Sequence, residues 1–184
     1  MIEICSSQNT TDLLTNSINR IGENIGNDLT EEIPIVISDL NNIKVLFPSN
    51  AIPNEFQFYT QILRNGFGIT QPKYFRGGVQ KHLIVVNTEF IEKLKLSESE
   101  LDAVIAHELG HIFNKPNRDI PNFIDEQEFY ADYFASSIGL KESLLSSITK
   151  YLEDENAQNT ELFDLRIRHL NEENIFDNGN IRNL

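Results

Sequence analysis

The chain predicts an α+β fold, mostly helical, with a small sheet in its N-terminal half. Two observations carry this. Short β-branched apolar runs occur only in the first half, and from residue 88 onward apolar positions recur at spacings of three and four, broken at Pro116, Pro121 and Gly139. Taken in order, residues 9 to 29 place Leu13, Leu14, Ile18, Ile21, Ile25 and Leu29 on one helical face behind Asn and Thr residues able to cap. Ile33 to Ser38 is short and β-branched, with its proline near the start, and reads as a strand. Residues 54 to 65 read as a second helix ending at Gly66. Tyr74 to Lys81, centred on Gly77-Gly78, reads as a loop, and His82 to Asn87 as a second strand. Helices are predicted over about 88 to 94, 98 to 114, 122 to 138, 141 to 152 and 160 to 171. There is no internal repeat.

At 184 residues the chain suits one domain, 1–184, in which residues 1–80 are an N-terminal part, 81–140 a central part and 141–184 C-terminal helices. A net charge of −13 opposes a phosphate backbone, and the 15 Lys and Arg form no basic stripe, so no nucleic-acid partner is expected. No apolar run is long enough to span a membrane, and residues 1 to 10 lack the layout of a signal peptide. Cytoplasmic location is the default expectation. Cys5 is the only cysteine, which gives no internal disulfide and no Cys-based metal site.

The chemistry concentrates in His107-Glu108-Leu109-Gly110-His111. Ser97-Glu-Ser-Glu100 is a capping box that starts the helix near Glu98, and Lys115-Pro116 marks its end. On that helix His107 and His111 leave the same face one turn apart and can reach one Zn2+ ion. Glu108 stands beside the first of them, able to meet an attacking water without being a ligand. Zinc in a catalytic site needs a third protein ligand and one open position. Glu128 is the candidate: in the run Asp125 to Ala135 it shares a helical face with Asp132, Ala131 and Ala135. Small residues there would let the two helices pack closely, and Asp132 could accept the outer N–H of a ligating imidazole. Asp125 and Glu128 also fit the N-cap and N3 positions of a capping box, which would leave Glu126 or another carboxylate as the third ligand.

His-Glu-Leu-Gly-His together with Glu128-Phe-Tyr-Ala-Asp132 resembles the gluzincin metallopeptidases, closest to the CAAX prenyl endopeptidase and HtpX-type families. The stretch Ala131-Asp-Tyr-Phe-Ala135 is equally similar to the ImmA/IrrE regulatory peptidases. The resemblance implies a zincin-like domain with residues 81–140 as its zinc-site core, His107, His111 and Glu128 as ligands, and Glu108 as general base and acid. Arg166-Ile-Arg-His-Leu170 is similar to an Arg-Ile-x-x-Leu stretch of the first family, but Asn159-Thr160 replaces the His-Pro that often precedes it. The donor to the developing oxyanion is therefore unassigned, with His169, Arg166 and Arg168 as candidates. The strand at 82–87, ahead of the active-site helix, matches the position of that family's edge strand, which implies a substrate bound beside it by strand addition; the alternative is an ordinary core strand. The glycine and third histidine of a metzincin are absent after His111.

The resulting expectation is a zinc metalloendopeptidase acting on a peptide or protein substrate. A zinc-binding regulatory or binding module with little catalysis and a regulatory peptidase with one dedicated target are the competing readings. Four further readings concern other residues. The N-terminal helix or the tail 178–184 could lie in the cleft as a self-inhibiting segment. His82 reads as a strand-surface residue, and Cys5 as an incidental thiol rather than a thiolate that blocks zinc. The acidic runs at 153–155 and 172–173 read as solvated surface.

Overall fold

The computed structural model describes residues 2–25, 34–46, 52–76, 79–113 and 124–172. Their order is β1 (Ile2–Cys5), α1 (Gln8–Ile25), β2 (Ile35–Asp39), a 3-10 segment (Leu40–Leu46), α2 (Ile52–Ile62) with a 3-10 turn (Leu63–Asn65), β3 (Gly68–Arg76), β4 (Val79–Val86), α3 (Thr88–Lys93), α4 (Glu98–Phe113), α5 (Ile124–Ser137), α6 (Lys141–Leu152) and α7 (Thr160–Asn171). This is the expected α+β arrangement, a small sheet early and helices late.

The four strands lie in the order β1-β2-β4-β3, with the first three parallel and β3 antiparallel to β4. Alternation along β2 and β4 divides the core. Ile35, Ile37, Ile84 and Val86 face one side, where Leu14 and Ile21 of α1 and Leu101, Ile105 and Leu109 of α4 meet them. Val36, Leu83 and Val85 face the other, against Tyr59 and Leu63 of the α2 segment and Ile43. Strands covered on both faces explain why β2 and β4 read as continuous apolar runs rather than as alternating ones.

The sheet corrects three expectations. Tyr74 to Lys81 is not a loop: its described residues continue β3 and begin β4, pairing Tyr74 with Lys81 and Arg76 with Val79. The strand over 82–87 exists as β4, but it is interior, hydrogen-bonded to β2 on one side and β3 on the other, so no substrate strand can add to it. The edge is β3. Its register slips between Gln71 and Tyr74, at Pro72-Lys73, where an extra residue bulges and a proline costs no ladder bond. Finally, His82 is buried at 2% exposure, not on the strand surface, because both faces of β4 are covered.

Helix α1 covers the first predicted helix up to Ile25, and the stop expected at Lys115-Pro116 lies outside the described residues. The capping box at the start of α4 is formed, with Glu100 N donating to Ser97 Oγ at 3.3 Å and Ser97 N to Glu100 Oε2 at 2.6 Å. No described helix is long and apolar enough to cross a membrane.

Candidate metal centre

The site is built where α4 and α5 cross. Gly110 makes that crossing possible: a Cβ there would come within 2.7 Å of the Ala131 Cα and 2.8 Å of its carbonyl oxygen. Ala131 and Ala135 are fully buried in the same seam, as their small size permits. The close approach carries the acidic face of α5 to the histidines of α4.

There His107, His111 and Glu128 converge, their ligand atoms all within 4.8 Å of one another. His107 Nε2 lies 3.3 Å from Glu128 Oε2, and His111 Nε2 lies 3.6 Å from Glu128 Oε1. Ligands about 2.0–2.1 Å from a tetrahedral zinc stand roughly 3.4 Å apart, so these separations and this nitrogen and carboxylate donor set fit zinc. Among the described residues no other group of three His, Cys, Asp or Glu side chains gathers in this way. Helix α5 begins at Ile124, so the backbone of Asp125 lies within it.

Beneath the histidine, His107 Nδ1 approaches Asp132 Oδ1 at 2.7 Å. Arg166 of α7 donates from Nε to Asp132 Oδ2 at 2.9 Å and from Nη2 to Oδ1 at 2.6 Å. Its Nη1 lies 3.3 Å from Glu128 Oε2. The 3.1 Å approach of Arg166 Nη2 to His107 Nδ1 is then two donors sharing one carboxylate oxygen, not a bond between them. With Nδ1 donating to Asp132, the Nε2 lone pair of His107 is the one aimed at the cluster.

These contacts set the protonation states. Burial and the Arg166 charge push His107 down, but Asp132 and Glu128 outweigh them and raise it to about 9, so a cation taking Nε2 competes with a proton there. Burial, followed by the neighbouring His107 charge, brings His111 down to about 4, leaving it neutral with a lone pair ready. Burial opposes ionisation of Glu128, yet the hydrogen bond and charge of His107 and the charge of Arg166 hold its carboxyl well below the usual range. Glu108 moves the other way. Burial raises its carboxyl, against the lowering effects of His107 and of the Thr70 hydroxyl, and a raised carboxylate is the better base near neutral pH.

The remaining candidates, His169 and Arg168, are on α7. His169 stacks on Phe129 with ring centroids 3.9 Å apart, and Arg168 is exposed with its Nε toward the carbonyl of Asp164. Cys5 sits on β1, the sheet edge opposite β3, with Sγ 3.5 Å from Glu3 Oε1. Helix α1 packs on α4 near its start, where Arg20 pairs with Asp102 at 2.6 Å, and the tail 178–184 lies outside the described residues. From the sequence alone neither Thr70 nor Gly110 of the motif has an assigned role, although a glycine inside an apolar helix is itself a sign of close backbone approach.

Residues 69–119, from β3 past the end of α4, match the sequence profile of Peptidase family M48. Over that span the chain is similar to metallopeptidases. The matched span holds the two histidines and Glu108 and stops short of Glu128, Asp132 and Arg166. No curated protein and no solved structure matches the chain.

Proposed function

We propose that the protein is a zinc-dependent metalloendopeptidase in which His107, His111 and Glu128 hold the metal and Glu108 is the general base. The observation that carries the reading is the convergence of two imidazole nitrogens and one carboxylate at ligand-to-ligand spacings, with Glu108 beside them on the same helix. When bound, zinc supplies Lewis-acid polarisation of the attacking water and the scissile carbonyl. Glu108 takes a proton from that water and delivers it to the departing amine. Asp132 orients His107, and Arg166 holds Asp132 and Glu128 in place, so its guanidinium is committed below the ligands rather than to the substrate.

The substrate is a peptide or protein segment lying extended along β3, the sheet edge adjoining α4. Two resemblances were open, and the contact of Arg166 with Asp132 favours the CAAX-endopeptidase and HtpX-type families, because the Arg-Ile-x-x-Leu stretch belongs to that resemblance. The engagement of Arg166 also leaves the oxyanion donor unassigned, which is the one observation favouring a zinc-holding module with little turnover. One experiment separates the two. Purified protein should hold about one zinc per chain and cleave members of a broad peptide library. Glu108→Gln should keep the zinc and lose about 10²–10⁴-fold in cleavage rate. Metal-free protein, or undiminished cleavage by the variant, would overturn the proposal, and zinc without any turnover would favour the module.

A further inference from the structure

The carboxylate of Glu108 is held from outside its own helix. Thr70 of β3 pairs with Ile84 and Gly68 with Val86, so both lie on the sheet face that meets α4. Thr70 Oγ1 is 2.7 Å from Glu108 Oε2 and 2.9 Å from the Glu108 carbonyl oxygen. Both partners are acceptors and the hydroxyl has one hydrogen, so the shorter, charge-assisted contact to the carboxylate takes it. Among the described residues Thr70 is the one hydrogen-bond donor to this carboxylate, which is itself buried at 5% exposure. Gly68, two residues before, leaves room for it: a Cβ there would stand 3.0 Å from Glu108 Oε1 and 3.1 Å from Cγ.

We infer that Thr70 is the positioning residue for Glu108, fixing the base through the edge strand β3. The inference rests on the proposed role of Glu108 and adds to it that the strand offered to the substrate also aims the base. A hydroxyl at this position keeps Oε2 occupied, while Oε1 lies over Gly68, where the missing side chain leaves it room. Valine fills nearly the same volume but removes the donor, leaving a buried carboxylate oxygen unmatched, whereas serine retains it.

The test compares Thr70→Val and Thr70→Ser in the full-length, zinc-loaded chain, with zinc content, kcat, KM and thermal midpoint measured on the same samples. Thr70→Val should keep about one zinc per chain and a KM within about twofold while kcat falls about 10-fold or more, and Thr70→Ser should recover most of the loss. Thr70→Val should also lower Tm by about 4 °C in the parent chain and by much less in a Glu108→Ala background, a coupling that does not depend on turnover. Equal Tm losses in the two backgrounds, or an unchanged kcat for Thr70→Val, overturn the inference. So does Thr70→Ser behaving like valine. Absence of zinc and cleavage in the parent chain would instead sink the metallopeptidase reading, with the Tm cycle still deciding the Thr70 contact. If Thr70→Val does not fold, Thr70→Ala carries the same comparisons.

Discussion

Helix α4 bears two buried polar clusters, one at its start and one near its end, and they are built on opposite plans. At the start, Asp102 receives Nε and Nη2 of Arg20 at 2.6 and 2.8 Å, while Glu100 receives Ser146 at 2.6 Å and Lys150 at 2.7 Å besides the capping amide of Ser97. Each carboxylate is matched by donors reaching in from α1 or α6, so the cluster closes on itself and ties those helices to α4. Near the end, Nε2 atoms of His107 and His111 turn toward the Glu128 carboxylate, and one guanidinium, that of Arg166, serves both Asp132 beneath them and Glu128 Oε2. Burial alone does not separate scaffold from site. What separates them is whether the lone pairs are matched by protein donors or directed at a common point.

If that distinction holds, substitutions in the two clusters should fail differently. The largest effect is expected from His111→Ala, which should take zinc content from about one per chain to near zero and abolish cleavage. Metal analysis and a peptide assay on the same sample would check it, and retained helicity by circular dichroism would show that the fold survives. Asp132→Asn should weaken zinc binding by about 10–100-fold without eliminating it, read by competition with a chelator. Gly110→Ala has to push α5 away from α4, because the added methyl would meet backbone atoms at 2.7 Å; it should cost about 1–3 kcal/mol in denaturant unfolding and weaken zinc binding as well. A variant that unfolds more easily yet binds zinc unchanged would show that the helix seam and the ligand geometry are separable.

The scaffold cluster should show the smallest effect, and a pH-dependent one. Burial raises the Glu100 carboxyl, but the Lys150, Ser146 and Ser97 hydrogen bonds prevail and lower it from 4.5 to about 2. A group depressed in the folded state stabilises fully above its unfolded value and loses that contribution as pH falls through the folded value, here between about 4.5 and 2. Lys150→Met should therefore shift acid unfolding to higher pH, with a loss of about 1–2 kcal/mol at neutral pH and zinc content unchanged. Thermal midpoints measured across pH 2 to 7, about the range of the titration, are the check. A loss of zinc in this variant would show that the two clusters are coupled along α4.

The same contrast governs what could be read in the sequence. Helices α6 and α7 run over 141–152 and 160–171 as their spacing predicts, and the capping box places the start of α4 at Glu98. His107, Glu108, His111, Glu128 and Asp132 are legible because helical periodicity converts spacings of three and four into a shared face, and the structure groups them across one seam. The sheet was harder. β1 has four residues, and β3 contains Gly68 and Pro72 at a bulged edge, so composition marks it as a loop although pairing with β4 makes it a strand. The interior position of β4 follows from β3, and missing one misplaces the other. Contacts that join distant segments leave no periodic trace: Thr70 reaches Glu108 across 38 residues and Arg166 reaches Asp132 across 34.

The central claim is that a glutamate from α5 completes a metal site begun by two histidines of α4, and zinc stoichiometry in paired variants tests it most directly. Glu126 and Glu128 are neighbours on one helix, but only Glu128 meets the histidines. The account predicts about one zinc per chain for the parent protein and for Glu126→Ala, and near zero for Glu128→Ala. Full zinc in Glu128→Ala, or its loss only in Glu126→Ala, would contradict it.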